Sequence, residues 1–418
     1  MNDQEMEHFA QRGSAVSNNR GGSALQHVNG GAWTFSTPQM VLLSAVVVWT
    51  GAMMALSVAR DQRHDYVAYL EQWALVLSGQ DPWMTSNTYG PLHNVIGLTS
   101  DVHPLVPKLL IGMALSLVNY LLVSELLRVS PPRLSIVAYL LFLPLNFLVI
   151  SVVFSFGLND GLVASLVGLA ILLRLRRWLV VCGVVLGIAV LLKYYPALLI
   201  PFFFLDDRRF SLRGLVASAL TVVTGLLVAA ALWGTGFASA LTTGAVRGPK
   251  LLSVLSALER SGLSSSFSGV FEILVRINAL AVLLAVTLTL IAVYLTRLTW
   301  IEGSALVALI YLLIYKVGHQ QFYLTWIMIL IGLLIVNTRR SAWMAYSAIP
   351  AVVLLSAFQF GYEILTDEYR QIGGVVRDNV GFAAFLIGWL TVASMLVAAQ
   401  IGDKKEREAQ ETECGIVV

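Results

Sequence analysis

Long apolar runs recur along the chain, each near the ~20 residues that cross a bilayer, with short polar or charged stretches between them. They fall at about 38–58, 105–127, 134–153, 160–173, 178–194, 214–234, 277–296, 303–317, 320–336, 342–359 and 380–400. A further apolar stretch, 196–205, is too short for an ordinary span and reads as a short or broken helix that crosses back. Without it the alternation of sides fails. The pattern predicts an all-α polytopic membrane protein, a bundle of about eleven or twelve transmembrane helices with short helices in its outer loops. Residues 1–37 are rich in Gly, Ser, Asn and Gln, lack apolar periodicity, and read as a disordered cytoplasmic tail. The run from Pro38 reads as an uncleaved signal anchor, residues 38–400 as the membrane domain, and 401–418 as a charged cytoplasmic tail.

Charge sorts the loops by side. Arg128 and Arg133, Arg174, Arg176 and Arg177, Arg208, Arg209 and Arg213, Arg297, Arg339 and Arg340, and Lys404, Lys405 and Arg407 all fall on one side of the alternation. By the positive-inside rule that side is the cytoplasm. The outer segments are then 60–104, 154–159, 235–276, 318–320 and 361–379, and they carry most of the acidic residues. Composition agrees with the class: 57% of the chain is apolar, 12% is charged, and the mean hydropathy is +0.78. A formal charge of +3, dispersed along the chain, gives no basis for nucleic-acid binding. Cys182 and Cys414 are the only cysteines and read as unpaired, so neither a disulfide framework nor a thiolate metal site is available. The two halves show no internal repeat, which weakens a transporter reading.

The first outer loop, 59–104, departs most from what spanning lipid requires. It contains Asp65-x-x-x-Tyr69, then Gly79-x-x-Pro82-Trp83, then Tyr89-Gly90-Pro91. Asp65 and Tyr69 are one helical turn apart and share a face if the stretch is helical. Gly79, Pro82 and Gly90-Pro91 are turn chemistry that can fold the rest of the loop over that face.

These residues resemble the first outer loop of the GT-C glycosyltransferase superfamily. More narrowly they resemble its polyprenol-phosphate-mannose-dependent α-mannosyltransferases, including those that elongate phosphatidylinositol mannosides. Gly157-Leu158-Asn159-Asp160 at the start of a span is similar to that group, and so is Gly187…Lys193-Tyr194-Tyr195-Pro196 followed by Asp206-Asp207-Arg208-Arg209. The resemblance covers about residues 40–400. It implies a GT-C-like bundle in the plasma membrane that serves cell-envelope glycolipid synthesis on its extracytoplasmic face. It further implies a polyprenyl-phosphate hexose donor, mannose foremost, a glycolipid or lipid-linked glycan acceptor, and an inverting transfer.

Such a transfer needs a carboxylate near the attacking hydroxyl, cations or donors at the leaving phosphate, and an apolar groove for the isoprenoid. Asp65 is the candidate base, with Asp61 second; the bland alternative for each is a solvated interfacial acid. His319, in the polar island Tyr315-Lys316-Val317-Gly318-His319-Gln320-Gln321, is the second catalytic candidate, against the reading of a solvated turn histidine. Lys193 reads as a phosphate-binding ammonium or as a snorkelling span end. Lys316, Arg247 and Lys250 complete the candidate phosphate set. Tyr69, Trp83, Tyr89, Asn159, Asp160 and Tyr323 are candidate lining residues, although Tyr69 and Trp83 read equally as an aromatic belt and Asn159 and Asp160 as helix caps. Glu363, Asp367, Glu368 and Arg370 read as a solvated surface turn. No cofactor is implied, and nothing requires a metal: Asp206-Asp207 falls on the cytoplasmic side beside two arginines. The competing classes are a permease or flippase and a lipid-linked-sugar ligase. Polar residues gathered at outer span ends favour an enzyme.

Overall fold

Every apolar run read from the sequence is helical in the computed structural model. The structure describes residues 37–62, 65–84, 87–129, 133–206, 208–238, 247–250, 252–296, 298–368 and 370–413, except for the side chains of 38, 364–368, 370–374, 376–377 and 401–413. The two tails, Arg297, Asp207 and Cys414, and the side chains of Asp367, Glu368, Arg370, Lys404, Lys405 and Arg407, lie wholly or mainly outside the described residues. In chain order the main helices are α1 (Gln39–Ala59), the loop helices α2 (Asp65–Leu77) and α3 (Pro91–Gly97), α4 (Val106–Arg128), α5 (Arg133–Ser155), α6 (Asp160–Leu175), α7 (Leu179–Leu192), α8 (Leu212–Trp233), α9 (Asn278–Thr296), α10 (Trp300–Ile314), α11 (Gln320–Val336), α12 (Arg339–Glu363) and α13 (Asp378–Gln400), with three short helices, Val254–Arg260, Leu263–Ser266 and Ser268–Arg276, in the outer segment before α9. Seven of them, α1, α4, α5, α8, α9, α12 and α13, are long and apolar enough to cross a membrane, and α7, α10 and α11 are shorter apolar helices. The protein is an all-α polytopic membrane protein. The chain divides into two units, Met1–Leu42 and Leu43–Val418; among the described residues the first contributes the start of α1, and the second holds the other elements.

Burial separates the helices into layers. α10 and α11 are buried on every face, from Ile301 to Leu313 and from Leu324 to Leu334, as expected of helices apolar all round. α8 and α9 instead leave leucines exposed, Leu220 and Leu227 on one and Leu284 and Leu288 on the other. An apolar helix with so little protein cover faces lipid. α5 is interrupted at Pro144, and Asn146 restarts it by accepting a hydrogen bond from the Leu148 N–H at 2.9 Å. Its last turn, Ile150–Ser155, is wound as a π-helix. There Ser151 Oγ accepts from Gln359 Nε2 at 2.8 Å and Ser155 Oγ donates to Glu363 Oε1 at 2.9 Å. Glu363, expected in a solvated turn, is therefore buried: α12 runs further than the apolar pattern suggested and packs its end on this turn.

Ion pairs show which helix ends belong together. Glu125 on α4 accepts from Arg128 at 3.3 Å and forms an ion pair with Arg176, just past α6, at 3.7 Å. Arg174 donates its Nε to Phe203 O at 2.9 Å, pairs with Asp206 at 3.2 Å, and sits over the Trp300 ring at 5.5 Å. Arg208 donates to Tyr294 O and Leu295 O at the end of α9, and Arg340 pairs with Glu302 at 2.9 Å. Basic residues scattered over more than two hundred sequence positions thus share one end of the bundle.

The segment between Lys193 and Asp206 joins the two ends. Lys193 pairs with Asp160 at the start of α6, while Asp206 pairs with Arg174 at its end. That stretch of α6 is about 21 Å long at 1.5 Å per residue. Pro196 and Pro201 remove helical donors along the return, which is a 3-10 turn, Tyr195–Leu199, and a single α turn, Ile200–Phe203. A two-residue antiparallel ribbon, Leu205–Asp206 against Arg209–Phe210, closes it. The short apolar run is a broken crossing.

The first outer loop is docked by a close backbone approach. Gly90 N–H donates to Leu192 O at 3.0 Å at the end of α7, and a Cβ at Gly90 would lie 2.2 Å from Leu191 O. Only glycine fits there. Gly90→Ala should push the loop off α7 and lower the apparent melting temperature, at a cost of about 1–3 kcal/mol. Gly51→Ala, where nothing lies within 4 Å of the added Cβ, is the control and should melt like the parent.

Candidate active site

Asp65 opens α2 and Tyr69 follows one turn later, as the spacing predicts. The left-handed turn at Gly79 (φ 71°) reverses the chain. Asp81 Oδ1 then accepts from Trp83 N at 2.9 Å, and Asn87 ties Pro82 O to Tyr89 N. These local bonds fold the loop back over α2, where Tyr69 donates its hydroxyl to that of Tyr89 at 2.6 Å. Trp83 donates Nε1 to Tyr89 O at 3.2 Å and packs edge-on against Trp233 and Phe237.

His93, on α3, lies beneath this pair. Its ring stacks on Tyr89 at 4.7 Å and 28°, and its carbonyl accepts from Trp73 Nε1 at 3.0 Å. His93 Nε2 meets Gln72 Oε1 at 2.9 Å, and Nδ1 meets Asn159 Nδ2 in a close contact. One neighbour is an acceptor and the other a donor, which selects the neutral Nε2–H tautomer. Asn159 in turn precedes Asp160, whose two carboxylate oxygens accept from Lys193 Nζ at 2.8 and 2.9 Å. The ammonium is held between ring faces, 4.9 Å from the centroid of Tyr89 and 4.4 Å from that of Phe322.

The fourth side of the site comes from the far half of the chain. Lys250 N donates to Lys316 O at 2.8 Å and Leu252 N to Gly318 O at 3.4 Å, a short extended pairing. A Cβ on Gly318 would meet Leu252 C at 2.7 Å, so glycine permits the contact. This fixes 247–250 beside the turn that carries His319, which packs edge-on against Phe322.

Together these elements enclose a cavity of about 690 Å³, within the range of ligand sites. Of the residues singled out from sequence, Asp65, Tyr69, Tyr89, Lys193, Arg247, Lys250 and His319 line it. The others do not form its wall. Asp160 and Asn159 are fully buried behind Lys193 and Tyr89, and Trp83 supports Tyr89 from the other side. Tyr323 packs on Trp326. Lys316 sends its ammonium to Val275 O at 3.1 Å, pinning the outer segment just before α9 to the turn after α10. Asp61 ends the turn after α1, its carbonyl accepting from Lys108 Nζ at 2.7 Å. His93, Gln72, Tyr195 and Tyr311 are structural neighbours that sequence reading missed. His93 had a signal, lying two residues past the Gly90-Pro91 turn; Tyr311, inside an apolar run, had none.

Residues 87–317, more than half of the chain, match a family of membrane-embedded sugar transferases, and with the polytopic bundle this defines an integral membrane glycosyltransferase. The chain belongs to glycosyltransferase family 87. No curated protein matches it.

His93 and His319 are held neutral by burial. Burial, with a smaller contribution from Lys193, lowers His93 from 6.5 to about 3. Burial, then Lys193, Arg247 and Lys250, lowers His319 to about 4. A histidine depressed in the fold is protonated first in the unfolded chain, so stability is full above the unfolded value of about 6.5 and falls as the pH drops below it. The apparent melting temperature should be flat from about pH 7 to 8 and fall between about pH 6.5 and 4, His93 alone contributing on the order of 3 kcal/mol of the loss at pH 4. His93→Gln should make that slope shallower whatever its absolute stability. An unchanged slope would show that His93 does not titrate this way.

Proposed function

We propose that this cavity binds a polyprenyl-phosphate hexose, mannose foremost, and transfers the hexose with inversion to a hydroxyl of a glycolipid or lipid-linked glycan on the extracytoplasmic face of the plasma membrane. The observation that carries the reading is one cavity lined both by a carboxylate, Asp65, and by a set of cations, Lys193, Arg247 and Lys250, with neutral His319 among them. As the acceptor oxygen attacks the anomeric carbon, Asp65 takes its proton. The bond from that carbon to the phosphate oxygen breaks, and its electron pair stays on the phosphate. The cations meet that charge, and His319 donates a hydrogen bond to it. A single displacement of this kind inverts the anomeric centre and needs one base. Ala279, Val282 and Leu283 on α9 supply an apolar wall on a helix whose other face is bare to lipid, which suits an isoprenoid tail. The basic residues gathered at the opposite end support an outward-facing cavity. Family membership favours an enzyme over a permease or flippase.

The purified protein, given radiolabelled polyprenyl-phosphate mannose and a glycolipid acceptor, should form labelled product. Asp65→Asn should lower the rate by roughly 10²–10⁴-fold and leave donor binding intact. Asp61→Asn, whose residue is set at a turn by its backbone, should keep most of its activity. Activity retained in Asp65→Asn and lost in Asp61→Asn would move the base to Asp61; activity in both would sink the mechanism.

Sidedness has its own test. A cysteine placed at the exposed Ser265, in the segment that leads into α9, should react with an impermeant thiol reagent in intact cells. Labelling seen only after lysis would put the site on the cytoplasmic side.

A further inference from the structure

The floor of the cavity is aromatic. Tyr311 and Tyr315 are one turn apart at the end of α10, and the Tyr315 N–H donates to Tyr311 O at 2.8 Å. Tyr195, on the returning segment, faces Tyr311 at 6.1 Å and Phe322 at 5.3 Å, and Phe322 stacks with Tyr315 at 6.4 Å and 29°. All four residues line the cavity.

Their hydroxyls are not equivalent. Tyr69 and Tyr89 satisfy one another, and Tyr195 pairs with Thr325 Oγ1 at 2.7 Å. Tyr311 is 2% exposed, yet its hydroxyl has no hydrogen-bond partner among the described residues. A buried hydroxyl without a partner is costly, and native proteins keep few of them. An isoprenoid chain would leave it unpaired. A group with both apolar C–H faces and hydroxyls would satisfy the hydroxyl and stack on the rings, whose faces carry the negative end of the aromatic quadrupole. Lys193 Nζ lies 4.4 Å from the Phe322 ring centroid, so the cationic wall adjoins this floor.

We propose that the recess formed by Tyr195, Tyr311, Tyr315 and Phe322 is the subsite for the transferred sugar ring, and that the Tyr311 hydroxyl hydrogen-bonds one of the sugar's hydroxyls. The assignment rests on the reading of the cavity as the donor site. It adds a sugar-positioning residue outside the base and the phosphate contacts, and it makes Tyr311 a determinant of which hexose is accepted.

Tyr311→Phe removes one oxygen and keeps the ring. Binding of polyprenyl-phosphate mannose and of sugar-free polyprenyl phosphate is measured for both full-length proteins in nanodiscs, with the melting temperature of each. Tyr311→Phe should bind the mannosylated lipid roughly threefold to tenfold more weakly. It should bind the sugar-free lipid as the parent does, and it should melt no lower, because the lost hydroxyl had no partner to lose. Unchanged affinity for the mannosylated lipid, or parallel losses for both lipids, overturns the subsite. If the parent protein binds neither lipid, the lipid-phosphate donor reading has failed instead. The subsite is then decided by the same comparison with a nucleotide-diphosphate hexose and the free nucleotide diphosphate, where equal behaviour of the two proteins overturns it.

Discussion

The ion pair between Asp160 and Lys193 is the contact on which the site depends. Both side chains are almost wholly removed from water, and the pair joins the start of α6 to the end of α7. Taking two charges out of water costs more than a simple attraction returns, so such a pair is poor evidence of stability in itself. Breaking it is another matter: removing one partner leaves a buried charge uncompensated, at a cost of about 3–5 kcal/mol. The pair keeps an ammonium at one place on the cavity wall while Tyr89 and Phe322 press on it from either side. Two segments remote in sequence, the first outer loop and the first turn of α11, are thereby referred to a single point.

Around that point the packing is polar on one side and aromatic on the other. Asn159 and Asp160 are adjacent in sequence and act in different directions, one toward His93 and one toward Lys193. The start of α6 therefore couples the stacked His93–Tyr89 pair to the cation. Neutral histidines suit this arrangement. A charged His93 would lose its acceptor role toward Asn159, and a charged His319 would add a further cation beside Lys193, Arg247 and Lys250. The excess of positive groups on the wall is suited to an anion, while its carboxylate stands apart at the head of α2.

The opposite end of the bundle has a different charge economy. Five arginines there are matched to carboxylates or to helix-end carbonyls: Arg174 to Asp206, Arg176 and Arg128 to Glu125, Arg208 to the end of α9, and Arg340 to Glu302. At the cavity end Lys193 is paired with Asp160, while Arg247 and Lys250 line the cavity beside it.

The sequence by itself determined the helices, the broken crossing, the clustering of arginines at one end and the docking loop. Each of these is written in local pattern: apolar length, proline placement, charge bias and turn residues act within a few positions of themselves. It also indicated Asp65, Lys193, Arg247, Lys250 and His319, because ionisable groups in outer loops or at the end of an apolar run are conspicuous. Only the tertiary structure decided direction. Lys316 sits in the same polar island as His319 yet turns to Val275, and Glu363 leaves the solvent for the π-turn of α5. His93 is tied in by Asn159, 66 positions away, and Tyr311 is marked by a buried hydroxyl with no hydrogen-bond partner among the described residues. Which side chain meets which across the bundle depends on the rotation and depth of packed helices. Local hydrophobicity does not encode either quantity when a helix such as α10 is apolar on every face.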